Sequence, residues 1–573
     1  MEALAARFPV LFGDLSQWLR VHADSARIAS NGPVPARVPY GGGRVLFGPL
    51  DPEDVLRELE SEAVGATLCL YPTVAGFLHF LGQAGAERCI EHGRWRPLLL
   101  LPLAHASHLQ QWLARTRPRD WPWALANAWH FNDAATAQVA ARFAAQLFQL
   151  LTELTAQLLR QAEARYADRA APAEILRKGH RKLRALALAF EGSAYQQYCA
   201  RDIAEGMRGV GIEGRELILP VGAAMNYELA QHIVQFDPDV LVLNGRRRAN
   251  FTALPANLCV LSWDQDYVLC CARAEDGRRD LLMSMVRDWL TDAQLNGVCA
   301  RRVRHVNIGT NQRMYYPAEK AREPEFDVLF IGNVHPLDSY RRHIGFDRLD
   351  ANVQKVMLHA RERLADWVRS RGEGEAWVVP DLDALMRQSM SELGFLASGD
   401  ERTWRNTVFY FRYRIAHMLL RELYICALAD LRPGLFGRGW ENYPAVARLA
   451  HGPVENGPEL RELIHRSAIN VHLHTWTVHH PRLYDTAAAG GFLLVGRVPE
   501  EYPLERVFEP GEELDSFGSI AELRQKIRFY LDRPDLRREM AARAAERALR
   551  QHTMEHRMED VKQFLREAGH DQH

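Results

Sequence analysis

The chain has 573 residues, with 71 Lys+Arg against 72 Asp+Glu and a formal net charge of −1. That length exceeds one hydrophobic core and implies about three domains, while the charge balance excludes a general polyanion binder and leaves room for a local phosphate pocket. The 8 cysteines are scattered without a CxxC, which points to small core thiols in a reducing compartment.

The opening "MEALAARFPVLFGDLSQW" has acids and a proline where a signal peptide needs a basic end and an apolar run. The most apolar stretch, "WRPLLLLPLAH", is far short of the roughly 20 residues of a membrane helix. The expectation is a cytoplasmic protein with no membrane span and no nucleic-acid partner.

Residues 1–175 read as an accessory domain, α/β or mostly helical. Short apolar runs ("RVLFGPL", "GATLCLYP", "PLLLLPL") mix with helical stretches. After Asn132-Asp133, an N-cap signal, Val139, Phe143, Leu147, Leu150, Leu154 and Leu158 recur at spacings of three and four, so they line one face of a long helix. That face suits a core or interdomain helix, the alternative being a dimer seam.

Residues 176–318 read as a first Rossmann-like domain. The basic run "RKGHRKLR" leads into the buried strand "ALALAFEG". Helix "AYQQYCARDIAEGMRGVG", strand "ELILPVG", helix "NYELAQHIVQF" and strands "DVLVLNG" and "NLCVLSW" follow, and "VNIGTN" reads as a last strand. Strands alternating with helices, with glycine just past the strand ends, indicate a doubly wound parallel sheet. Neither "LPVGAA" nor "LNGRRR" gives G-x-G-x-x-G, so a nicotinamide dehydrogenase is disfavoured. "GRRRAN" is expected to be a solvated loop, with contact to an anionic acceptor as the alternative. Glu191 in "AFEGS" and Asp264 and Asp266 in "SWDQDY" stand just past strand ends. Such acids are turn residues or, beside a cleft, candidate bases, Asp266 before Glu191.

Residues 319–552 read as a second Rossmann-like domain. Its strands are "DVLFIGNV", "GLFGRGW", "AINVHLH" and "GGFLLVG", and a helical insert at 349–430 separates the first two. The stretch "VHLHTWTVHHPRLYDTAAAGGFLLVG" places His472, His474, His479 and His480 within nine residues. His-x-His on a strand offers two nitrogens from one face, yet no carboxylate or cysteine stands beside them at ligand spacing. Contact with a bound ligand, ordinary structural histidines and metal ligation remain the three alternatives, with no metal expected.

The segments "ELRELIHRSAINVHLHTWTVHHPRLYDTAAAGGFLLV", "FEPGEELDSFGSIAELRQKIRFYLDRPDLRREMAARAAERAL" and "HTMEHRMEDV" resemble the carboxyl half of the CgeB-like glycosyltransferases. "FDVLFIGN" and "GLFGRGW" fall in the same order. The resemblance extends from about 326 to 565, more loosely from 181. It implies a GT-B fold: two Rossmann-like domains facing a cleft, here with the extra amino-terminal domain. It further implies a glycosyltransferase taking a nucleoside-diphosphate sugar as donor, without metal or other cofactor, and a protein, glycan or other acceptor.

The resemblance also implies site roles. Asp485, the acid of an R-x-[FY]-[ED] type segment, would accept the ribose hydroxyls, and Arg482 would pair with phosphate or orient Asp485. Gly490 and Gly491 would end that helix, Gly332 and Asn333 with Arg341 or Arg342 would approach the diphosphate, and Val454 and Glu455 would lie in the loop reading the base. His474, Thr475, His479 and His480 would sit beside the diphosphate, His474 also near the transfer itself. Retaining members usually carry an acid eight residues before the ribose acid, where this chain has Thr477. That counts against a retaining assignment and keeps a non-catalytic sugar-nucleotide binder, or less so an epimerase, as alternatives. The family pattern finally implies that helix 553–568 returns to complete the first domain. The apolar stripe Met554, Met558, Val561 and Leu565 behind a Thr553 N-cap supplies the reason.

Overall fold

The computed structural model describes residues 2–21, 36–40, 43–47, 50–60, 67–71, 74–99, 111, 115, 134–265, 279–287, 289–291, 302–320, 322–395, 400–499 and 503–568. They form two compact units. One comprises Met1–Arg165 with Leu219–Asp237 and Thr252–Pro255; the other comprises Tyr166–Ile218, Pro238–Phe251 and Ala256–His573. Among the described residues no helix is long and apolar enough to cross a membrane.

The first unit is α/β. Its sheet runs in the order β1 (Ala36–Tyr40), β2 (Gly43–Phe47), β3 (Thr67–Tyr71) and β4 (Trp95–Leu99). The β1–β2 pair is antiparallel, while β2–β3 and β3–β4 are parallel. Leu68 and Leu70 of β3 pack with Phe77, Phe80 and Trp95. The long helix spans Ala134–Tyr166, and its Phe143, Leu147 and Leu151 enter that core with Leu150 and Leu154 at the margin. Ala140 and Ala144 join them, so the buried face includes small residues that an apolar-periodicity reading passes over. The side chain of Val139 lies outside the described residues.

The second unit holds two six-stranded sheets. The first contains β5 (Arg184–Phe190), β6 (Glu213–Leu219), β7 (Val240–Asn244), β8 (Cys259–Asp264), β9 (Leu281–Ser284) and β10 (Val303–His305), in the order β10-β9-β8-β7-β5-β6. Strands β5, β7, β8, β9 and β10 pair in parallel. The second sheet contains β11 (Phe326–Ile331), β12 (Gly434–Phe436), β13 (Ala450–Gly452), β14 (Ser467–His472), β15 (Leu493–Gly496) and β16 (Asp515–Phe517), in the order β13-β12-β11-β14-β15-β16 and parallel throughout. Continuous burial along β7 and β8 matches strands covered on both faces. The expected α/β class with two Rossmann-like sheets is what the chain adopts.

In open parallel sheets ligands bind outside the carboxyl ends of the strands, where the strand order reverses. Those positions are β5/β7 in the first sheet and β11/β14 in the second. The insert between β11 and β12 is helical, with helices at Ala351–Arg369, Leu382–Glu392, Glu401–Tyr410 and His417–Cys426. Its last two helices join through a π-helical turn, Phe411–Ala416, a local widening of a kind often found at functional sites.

"VNIGTN" lies beyond β10 and forms no strand; instead Thr310 makes a single bridge to Thr553. Thr310 N donates to His552 O at 2.9 Å, and Met554 N donates to Thr310 O at 2.7 Å. The terminal helix Met554–Glu567 buries Met554, Met558, Val561 and Leu565, together with Phe564. It packs on the helix Ala194–Gly209 that follows β5: a Cβ at Gly206 would stand 2.8 Å from Met554 Cγ, so glycine is what permits this approach.

Candidate active site

The exit of β11 anchors two guanidinium groups. Arg421, on the last helix of the insert, donates from Nη1 to Asn333 O at 2.6 Å, and Arg482 donates to Ile331 O. A Cβ at Gly332 would meet Arg421 Cζ at 3.1 Å, so the guanidinium lies against bare backbone. Asn333 Oδ1 in turn accepts from Arg438 N at 2.8 Å, fixing the loop. Among the described residues neither arginine has a carboxylate at ion-pair distance. Burial pushes Arg421 down to about 9, with Arg482 adding to the effect, and burial pushes Arg482 down to about 10 against the pull of Asp485. Both stay charged at neutral pH.

Four imidazoles adjoin them. The rings of His472 and His474 are 4.8 Å apart, His474 and His480 stack at 4.7 Å, and His474 and His417 stack at 5.2 Å. Burial, reinforced by neighbouring cations, pushes His472 down to about 3 and holds His417, His474 and His480 well below the ordinary histidine value. The cluster is therefore neutral imidazole beside cationic guanidinium. Among the described residues no group of three or more His, Cys, Asp or Glu could hold a metal ion.

His480 caps the helix Pro481–Ala488, its Nδ1 accepting from Arg482 N at 3.3 Å, and Pro481 begins the helix. A proline costs nothing at that first position, and the free N–H groups of the first turn favour an anion. Gly490, at φ +76°, and Gly491 terminate the helix through bonds to Ala487 O and Thr486 O, both 2.9 Å. A Cβ at Gly491 would stand 2.5 Å from Ile464 Cγ2. The two glycines act here through backbone geometry.

Asp485 sits one turn into that helix and is 7% exposed. Thr310 Oγ1 donates to its Oδ1 at 2.7 Å, and burial raises this carboxyl well above the usual range, with Asp202 adding to the rise. Asn311 Nδ2 donates to Asp202 at 2.8 Å and to Glu205 at 2.7 Å; burial brings Asp202 up to about 6. In the loop beyond β13, Glu455 accepts from Tyr198 Oη, and its own N–H donates to Glu459 at 3.1 Å. Val454 packs beside them at the edge of the core.

Several expected residues stand apart from this cluster. His479 is fully buried and shares a 2.8 Å hydrogen bond with Tyr484 Oη, because Thr477 Oγ1 accepts from His479 N at 3.0 Å and turns the ring inward. Thr475 donates its hydroxyl to Arg412 O at 3.2 Å. Arg341 pairs with Asp347 at 3.0 Å within its own loop, and Arg342 is exposed. Local acids after a strand end can capture an arginine before any ligand does, which strand-end position alone does not reveal.

At the first sheet, Glu191 is exposed just past β5, and Asp266 lies outside the described residues. Asp264 accepts two hydrogen bonds from Arg247, 2.7 and 2.6 Å, and Arg248 pairs with Asp280 at 2.8 Å. "GRRRAN", expected to be solvated, is thus held largely by ion pairs, with Arg246 over the Phe190 ring at 5.2 Å. Asn244 Nδ2 donates to Gln265 Oε1 at 2.8 Å, and Tyr195 of this domain stacks on His480 at 6.4 Å.

His417, Arg421 and Thr310 were not singled out by the sequence. The available signal was "AHMLLREL", in which His417 and Arg421 are four apart on an otherwise apolar helix face. A cavity of about 840 Å³, lined by Pro317, Asp327, Ser467 and Ala545 among others, opens near the amino-terminal ends of β11 and β14, at the opposite edge from these groups.

A family model described as glycosyl transferase-like matches residues 414–563, a stretch beginning inside the insert and ending in the terminal helix. No curated protein matches the chain. Among solved structures, a glycosyltransferase from Rickettsia africae ESF-5 aligns at 11% identity and TM-score 0.38, over 68% of this chain and 100% of its own. Sucrose-phosphate synthase from Thermosynechococcus elongatus aligns at 13% and 0.36 over 68% and 100%. Anabaena HepE in complex with UDP-glucose aligns at 11% and 0.37 over 67% and 99%. The region carrying Arg421, Arg482, Asp485 and the histidine cluster is therefore the part of the chain that is similar to the glycosyl transferase-like family.

Proposed function

We propose that the chain is a glycosyltransferase that takes a sugar from a nucleoside-diphosphate donor and delivers it to a protein, glycan or other acceptor, without a metal ion. The observation that carries this reading is the pair Arg421 and Arg482, held on backbone carbonyls at the β11/β14 reversal with no carboxylate partner among the described residues. Buried charges are paired, and where the protein supplies no partner a bound anion does.

A diphosphate would lie against the two guanidiniums, His480 and the first turn of helix Pro481–Ala488. Asp485 would take the ribose hydroxyls, and the Val454–Glu455 loop would face the base. In the transfer the acceptor oxygen attacks the anomeric carbon, and the bond from that carbon to the phosphate oxygen breaks with its electron pair leaving on the diphosphate. The fixed cations stabilise this charge as it develops. The acceptor proton passes to a base on the first sheet, where Glu191 is the described candidate. Tyr195, which touches His480, lies beside it near the exit of β5.

The test is donor turnover by the full chain in EDTA, with release of nucleoside diphosphate measured from a panel of sugar nucleotides. Release that persists in EDTA and falls with Arg482→Ala supports the reading. Binding without release identifies a sugar-nucleotide binder instead, and activity restored only by a divalent ion returns the histidines as ligands.

A further inference from the structure

Two of the four clustered imidazoles have spent a ring nitrogen: His472 Nε2 donates to Val478 O at 2.9 Å, and His480 Nδ1 accepts from Arg482 N. The other two, His417 and His474, have Nδ1 buried without a hydrogen-bond partner among the described residues, and so does the indole Nε1 of Trp476. These side chains are 4%, 3% and 9% exposed. Their rings form a closed triangle, with His417–His474 at 5.2 Å, His417–Trp476 at 4.7 Å and His474–Trp476 at 5.1 Å. Tyr413 packs on the same indole at 4.8 Å and fixes it. Arg421 Nε, one turn along the helix from His417, is likewise unsatisfied.

A buried polar group without a partner costs about 1–3 kcal/mol, and buried indole N–H groups ordinarily find one. Several such atoms in mutual contact, on the insert and on the loop after β14, mark a place where a ligand completes the hydrogen bonding. We propose that His417, His474 and Trp476 form the glycosyl subsite, and that it selects a neutral, hydroxyl-bearing sugar ring. This rests on the nucleotide-sugar reading above.

The chemistry fits that class. A sugar hydroxyl both donates and accepts, as a neutral imidazole can through its two nitrogens, while the indole donates only. Arg421, beside the triangle, is engaged by the diphosphate in the reading above, so a carboxylate there would lack a counter-charge of its own and a neutral ring is favoured over a uronate. Thr477, at the position where related retaining enzymes carry an acid, accepts from His479 N and shapes the loop rather than reaching the sugar. The insert thereby supplies specificity through His417.

The test compares affinities in the full chain for UDP, UDP-glucose and UDP-glucuronate, and for GDP and GDP-mannose, by calorimetry. His417→Phe keeps a ring and removes both nitrogens; Trp476→Phe keeps an aromatic side chain and removes the N–H. Each variant should hold the nucleoside diphosphate within about twofold of wild type and weaken the neutral sugar nucleotide relative to it by tenfold or more. UDP-glucuronate should bind wild type more weakly than UDP-glucose. A parallel loss for diphosphate and sugar nucleotide, an unchanged ratio, or preference for the uronate overturns the subsite while leaving diphosphate binding in place. If neither UDP nor GDP binds wild type, the underlying reading falls with it.

Discussion

Around β7 and β8 of the first six-stranded sheet, Arg247 grips Asp264 with two hydrogen bonds and Arg248 grips Asp280. At the exits of β11 and β14 in the second sheet, Arg421 and Arg482 rest on carbonyl oxygens and face imidazoles. The two sheets share a parallel architecture; the second reverses its strand order beside its arginines, whereas in the first Asp264 ends β8 and Asp280 precedes β9, away from the β5/β7 reversal. Paired charges there stabilise a loop; unpaired ones stand ready for an anion. The contrast explains why a strand-end acid such as Asp264 is tied up in an ion pair, while the two helix-borne cations at the other sheet are the proposed donor site.

The largest expected effect separates these roles. Asp264→Ala removes the carboxylate that accepts both hydrogen bonds from the largely buried Arg247, so it should cost about 3–5 kcal/mol in urea unfolding while nucleoside-diphosphate affinity stays unchanged. Altered affinity at full occupancy of the folded state would break the comparison. Met558→Ala, in the helix that returns to the first sheet, should cost about 2–5 kcal/mol, read the same way. Stability equal to wild type would mean that the crossover contributes little.

Arg421→Ala should do the reverse of Asp264→Ala. Losing a hydrogen bond to a charged group, worth about 1.5–3 kcal/mol, should weaken nucleoside-diphosphate binding about 10- to 100-fold, with folding stability no lower than wild type. Removing a desolvated cation that lacks a counter-ion can even stabilise the unliganded fold.

Acid should weaken the fold by a smaller amount per group. His472 is held down to about 3 in the folded chain against 6.5 as a free side chain, so the unfolded state binds more protons between those values and stability rises with pH across that window. Going from pH 7 to 5 should therefore cost up to about 2 kcal/mol for each such histidine. Asp202, raised to about 6, acts oppositely: its contribution is present below about pH 4 and lost as pH rises through 6. Asp485, Asp264 and Glu422 are raised as well, but the histidines held down, His305, His335, His417, His472, His474, His480 and His552, outnumber these carboxyls, so the net trend in thermal melting is destabilisation on acidification, shallower in His472→Asn. A melting temperature that climbs toward pH 5 would show that the imidazoles are not held neutral.

Much of the fold was legible because buried parallel strands are largely apolar runs, continuous in β5, β7 and β15 and broken by single polar residues in β8, β11 and β14. The terminal helix was legible from its stripe and cap. The site was legible where one stretch of chain holds it, as in His480, Arg482 and Asp485. It was not where tertiary contact decides. Arg421 and His417 come from a helix more than fifty residues before Asp485, and only the packing of the insert against Gly332 brings them in. His479 and His480 are neighbours in sequence, yet the turn at Thr477 sends one into the core with Tyr484 and leaves the other at the helix start.

The central claim, that the cationic exit of β11 and β14 holds a nucleoside diphosphate, is tested most directly by calorimetric titration of the full chain with UDP, GDP and ADP in EDTA, for wild type and for Arg421→Ala and Arg482→Ala. The account predicts one-to-one binding of at least one of them to wild type, weakened about tenfold or more in each variant. Absence of binding to wild type, or equal affinity in all three proteins, would contradict it.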